Sequence, residues 1–114
     1  MPVSETEFQH QVVDLAHIHG WRHNHTRRTI GKHRQWVTGT SCVGWPDLEM
    51  WHVKQHRIVY AELKTDTGKL SVEQGLVLAE LTEAGAHVHL WRPQHLQSIS
   101  DCLAGHCPGD TFLS

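Results

Sequence analysis

The sequence predicts an α/β domain, a mixed sheet flanked by helices in the order helix, three strands, helix, strand, helix. Three features carry that prediction. Two capping-box patterns, Ser4-Glu5-Thr6-Glu7 and Ser71-Val72-Glu73-Gln74, each open a run with helical apolar spacing. Between them lie two strand-like runs separated by the short stretch Val53-Lys54-Gln55-His56. After the second helix, Ala86–Trp91 alternates with period two, and a strand reached through a helix can return parallel to its neighbour.

Each element has a local reason. Phe8, Val12, Leu15 and His19 recur at helical spacing before Gly20, which places the first helix over about Glu5–His19. Trp21–Thr29 has partial alternation and β-branched residues, as in an exposed edge strand. Ile30–Thr40 contains Gly31 and basic residues without a period, and is expected to be a turn or flexible loop. Pro46–Trp51 and Arg57–Lys64 then form an antiparallel hairpin. Thr65–Leu70 is a polar loop, and the helix opened by Ser71 carries Val77, Leu78 and Leu81 before Gly85 stops it. Pro93 opens a short C-terminal helix with Leu96, Ile99 and Leu103.

The chain of 114 residues has room for one core, so residues 1–114 are expected to form a single domain. Its 39% apolar and 19% charged content is ordinary for a globular protein, with no low-complexity tract, so disorder is not the expectation. It has neither a signal-peptide pattern nor an apolar run long enough to span a bilayer, so a soluble, intracellular, cytoplasmic protein is expected. Cys42, Cys102 and Cys107 are an odd number at spacings unlike a disulfide framework, and free thiols are expected. Cys102, His106 and Cys107 lack the fourth ligand and the tight spacing of a structural zinc site. The twelve histidines are mostly scattered singly, as surface or hydrogen-bonded imidazoles are.

The formal charge of −2 conceals a segregation. From Leu15 to Pro46 there is no Asp or Glu, while Arg22, Arg27, Arg28, Lys32 and Arg34 supply five of the ten Lys and Arg residues. With Trp21, Trp36 and several histidines interleaved, this segment can contact phosphates and stack on bases, as a nucleic-acid partner requires. Charge alone would equally allow a solvated positive loop.

Chemistry concentrates in the hairpin. The Ile58–Lys64 run is apolar at its start but ends in Glu62-Leu63-Lys64, and strand alternation puts Glu62 and Lys64 on one face. Burying such ions costs several kcal/mol unless they are paired or bound to a metal. A strand-end ion pair would explain them; Asp47, set beside Glu62 by the hairpin, adds a second carboxylate. Two carboxylates and the Leu63 carbonyl, beside one lysine, offer the hard oxygen ligands that suit Mg²⁺ or Mn²⁺. Glu49 shares a face with Asp47, and Asp66 lies close in sequence; both read as solvated residues.

Pro46-Asp47 followed by Glu62-Leu63-Lys64 resembles the PD-(D/E)XK nuclease superfamily. With Glu7 on an early helix, Gly44-Trp45-Pro46-Asp47-Leu48 and Ser71-Val72-Glu73-Gln74, the chain looks like its VRR-NUC branch, over about residues 4 to 92. The resemblance implies a restriction-endonuclease-like α-β-β-β-α-β core. It implies that Asp47, Glu62 and Lys64 are catalytic, with Glu7 and Gln74 assisting. Asp47, Glu62, Glu7 and the Leu63 carbonyl would hold the metal. Capping alone would also explain Glu7 and Gln74.

The expected function is therefore Mg²⁺- or Mn²⁺-dependent DNA phosphodiester hydrolysis, structure-selective like a Holliday-junction resolvase. Symmetric cutting of a junction calls for a homodimer. The alternatives are a nuclease for single strands, flaps or ends, and a catalytically silent nucleic-acid-binding module.

Overall fold

A computed structural model describes residues 2–26, 28–30, 36–38 and 42–106, with only the backbone path of 28–30 and 36–38. The first helix, α1, spans Glu5–Ile18. Ser4 caps it, its Oγ accepting from the Glu7 N–H at 3.1 Å, and Gly20 ends the exit turn at a φ of +86°. The buried stripe is Phe8, Val12 and Ala16, so the apolar face lies slightly off the expected line and His19 serves as C-cap.

Strand β1 covers Arg22–His25 and is shorter than the expected Trp21–Thr29. Arg28 and Thr29 instead belong to a separate ribbon, in which β2 (Arg28–Ile30) pairs antiparallel with β3 (Trp36–Thr38). At Ile30 and Trp36–Thr38 this corrects the loop expected over Ile30–Thr40, while residues 31–35, 39 and 40 of that span lie outside the described residues. β-Branched and aromatic residues favour extended pairing, and a two-stranded ribbon can form without the alternating apolar face that marks a core strand.

Strands β4 (Leu48–His52) and β5 (Arg57–Leu63) form the antiparallel hairpin, in register from Leu48 opposite Ala61 to His52 opposite Arg57. The chain then crosses over through α2, Val72–Glu83, into β6, His87–Trp91, which runs parallel to β5. The sheet order is β1-β4-β5-β6. The expected C-terminal helix is divided into a 3-10 turn (Pro93–His95), α3 (Leu96–Asp101) and a wider turn over Cys102–His106. The architecture is a mixed four-stranded sheet with flanking helices, consistent with a restriction-endonuclease-like core.

The main core gathers Phe8 and Val12 of α1, Trp21, Met50 of β4, Leu63 of β5, and Ile99 and Leu103 of the C-terminal segment. Burying side chains of this size contributes roughly 1.5–3 kcal/mol each. Trp21 also satisfies its one polar atom inside the core, donating Nε1–H to the Leu103 carbonyl at 2.7 Å. Cys102 is disulfide-bonded, which corrects the expectation of free thiols at that position. Among the described residues, no helix is long and apolar enough to cross a membrane.

Candidate active site

Where β4 begins and β5 ends, the two strands brace each other through side chains as well as through the ladder. The hairpin register, extended by one residue past Leu48 and Ala61, puts Asp47 opposite Glu62. The Asp47 N–H donates to Glu62 Oε1 at 3.2 Å, and the Leu63 N–H donates to Asp47 Oδ2 at 2.9 Å. Each carboxylate is therefore oriented by a backbone donor of the opposing strand.

Glu62 is 1% exposed, although its neighbours on β5 are mostly apolar. An anion so buried is tolerated only when donors surround it. Its Oε2 accepts from Gln74 Nε2 at 2.9 Å and lies 3.6 Å from Lys64 Nζ. Gln74 is also buried, and its Oε1 accepts from the Ser71 N–H at 2.9 Å, completing the capping box of α2. One side chain thus starts the helix and holds the carboxylate.

Lys64 follows directly after β5. Its N–H donates to the Trp91 carbonyl at 3.0 Å, which ties the site to β6, while its side chain stays 13% exposed. The loop after it is clamped from the end of β6: Arg92 Nη1 donates to the carbonyls of Thr65 at 2.6 Å and Gly68 at 2.7 Å. No sequence pattern pointed to that arginine, because its partners are backbone atoms of a loop distant in sequence.

Gly44 has a function that its place in a motif did not reveal. Its φ is +90°, and a Cβ built there would lie 2.5 Å from the Glu73 carbonyl oxygen and 2.9 Å from the Gln74 nitrogen. The Gly44–Asp47 segment thereby packs directly on the first turn of α2. Trp45 follows, donating Nε1–H to Glu49 Oε1 at 3.0 Å with its ring edge-on to Tyr60 at 5.6 Å. Glu49 is thus a bonded partner rather than the solvated strand residue expected.

The structure gathers Asp47, Glu62, Lys64 and Gln74. Glu7 is exposed in the first turn of α1, where it is engaged with Ser4: the Ser4 hydroxyl donates to Glu7 Oε1 at 3.3 Å. Among the described residues, no three His, Cys, Asp or Glu side chains gather as a metal cluster. The donor set still fits a hard divalent cation, which binds through one or two carboxylates and keeps several waters. The N–H and C=O of one strand residue point the same way, so the Leu63 carbonyl lies on the Asp47 side with the two carboxylates.

Of the basic residues, Arg22 is exposed on β1 with its guanidinium 5.8 Å from the Trp51 ring centroid. Arg27, Lys32 and Arg34 lie outside the described residues, and of Arg28 only the backbone, in β2, is described.

Comparison with known proteins adds one finding. A family model described as the VRR-NUC domain matches residues 3–95. Neither a curated protein nor a solved structure matches the chain.

Proposed function

The chain belongs to the VRR-NUC family of nuclease domains, and from that premise we propose that it is a Mg²⁺- or Mn²⁺-dependent DNA endonuclease with a preference for branched DNA. The observation that carries the reading is the bracing of Asp47 against Glu62 beside Lys64, at the joint of β4 and β5.

Asp47, Glu62 and the Leu63 carbonyl would hold the cation. A divalent ion bound there lowers the pKa of a coordinated water and offsets charge developing on the phosphoryl oxygens. Glu62 is kept in place by Gln74, so it need not reorganise as the reaction proceeds. The Lys64 ammonium, close to Glu62 and still partly open to solvent, donates hydrogen bonds to the attacking water or to a phosphoryl oxygen. Glu7 would approach only as an outer helper from α1. Arg22, Arg27, Arg28, Lys32 and Arg34 would contact phosphates along the strand.

A four-way junction has two strands to cut symmetrically, and one copy of the site cuts one, so the reading includes a homodimer. The test is cleavage of a labelled four-way junction in Mg²⁺ or Mn²⁺, with duplex and single-strand controls and Asp47→Asn protein as the blank. Paired symmetric nicks on the junction alone support a resolvase. Cutting of the controls moves the function to flaps, ends or single strands, and no metal-dependent cutting in any substrate leaves a silent binding module.

A further inference from the structure

One side of the sheet is covered by α1 and the C-terminal segment, and α2 packs on β6. Strand register aligns three rows on the side that carries Glu62. Asp47 and Glu62 form the catalytic row, Asn24, Glu49 and Tyr60 the next, and Arg22, Trp51 and Ile58 the third. Rows on one face are two residues apart, so at about 3.4 Å per residue the third row lies roughly 14 Å from the catalytic one. The far row is open, with Arg22 and the neighbouring Asn24 exposed, Ile58 58% exposed and Trp51 half-buried, while Trp45 packs on the middle row through Glu49 and Tyr60.

Its far end has the chemistry of a polyanion site. Arg22 lies over Trp51 and has no carboxylate partner among the described residues. Beside it an open groove of about 650 Å³ runs between the end of α1 and the β4–β5 turn, with Arg22 and Lys54 in its lining and no acidic residue. The imidazole of His52 in that lining is already committed: Nε2 donates to the His19 carbonyl at 2.8 Å, and Nδ1 accepts from the Gln55 N–H at 3.1 Å. The two cations remain available for a ligand.

We propose that this strip binds an unpaired DNA strand running from the catalytic row, with a phosphate on Arg22 and Lys54 and a base against the Trp51–Arg22 stack. The inference rests on the nuclease reading and names the part of the substrate that the open face takes. A base inside a duplex is already stacked, whereas an unpaired one can lie on an indole or guanidinium plane. The separation of the rows suits a couple of extended nucleotides.

The test measures binding of a labelled oligothymidine and of a blunt hairpin duplex in EDTA, by the whole protein and by Trp51→Ala and Arg22→Gln. The exposed Arg22 keeps the test valid if Trp51→Ala folds poorly, and circular dichroism verifies each fold. Both variants should bind oligothymidine roughly tenfold more weakly, with the duplex affected much less. Parental affinity for oligothymidine in folded variants overturns the platform. So does a variant that loses only self-association on size exclusion, which would assign the face to a second copy. A parent that binds oligothymidine through these residues yet cuts no DNA in Mg²⁺ or Mn²⁺ overturns the nuclease reading and leaves the platform standing.

Discussion

Gln74 donates its Nε2–H to Glu62 Oε2 at 2.9 Å while its Oε1 accepts the Ser71 N–H, also at 2.9 Å. The start of α2 and the orientation of the buried carboxylate are therefore one structural event. A helix that forms correctly delivers the donor that Glu62 needs.

Substitution at Gln74 should separate the two roles. Gln74→Ala removes both bonds, and a lost hydrogen bond to a buried charge costs about 1.5–3 kcal/mol, so cleavage should fall roughly 10- to 100-fold. Gln74→Glu keeps a capping-box residue at that position but sets a like charge against Glu62. Its cleavage should fall at least as far, while α2 is retained. Cleavage rates with circular dichroism melts check this, and parental rates in Gln74→Glu would remove Glu62 orientation from the mechanism.

Asp47→Asn should abolish metal-dependent cleavage with the fold intact. The amide oxygen can still accept the Leu63 N–H, but the ligand charge is gone. Lys64→Ala should do the same by removing the ammonium beside Glu62. A melting temperature close to that of the parent, together with lost nicking activity, is the expected pair of results.

Gly44→Ala should damage the site through the backbone. A methyl group there meets the Glu73 carbonyl, and a positive φ adds strain of about 1–3 kcal/mol. The collision moves the turn that carries Gln74, so cleavage should fall by more than the stability loss alone explains. Urea denaturation and single-turnover rates measure the two effects separately.

Chelation should divide folding from activity. The main core contains no Asp or Glu of the site, so EDTA should leave the melting temperature unchanged while stopping cleavage, with recovery on adding Mg²⁺ or Mn²⁺. Unfolding on chelation would instead point to a structural metal.

His23 makes stability depend on pH. Burial, with His17 and His25 close by, holds its pKa below the ordinary 6.5. The unfolded chain therefore takes up a proton that the folded one resists, so this residue contributes nothing above the ordinary value and destabilises the fold as pH drops below it. His23→Gln should flatten the acid-side decline in melting temperature between about pH 7 and pH 5. An unaltered slope would place the sensitivity elsewhere.

The sequence by itself determined both capped helices, the β4–β5 hairpin, the parallel return of β6 and the pairing of Asp47 with Glu62. These follow from local signals: a serine three residues before its partner, a period of two, and a short turn that sets the register. Tertiary structure alone decided that Gln74 reaches Glu62, that Gly44 must lack a Cβ, that Arg92 clamps the loop after Lys64, and that Arg22 lies over Trp51. Each of those contacts joins segments that only packing brings together, and a linear pattern records the spacing along the chain but not the approach of one backbone to another.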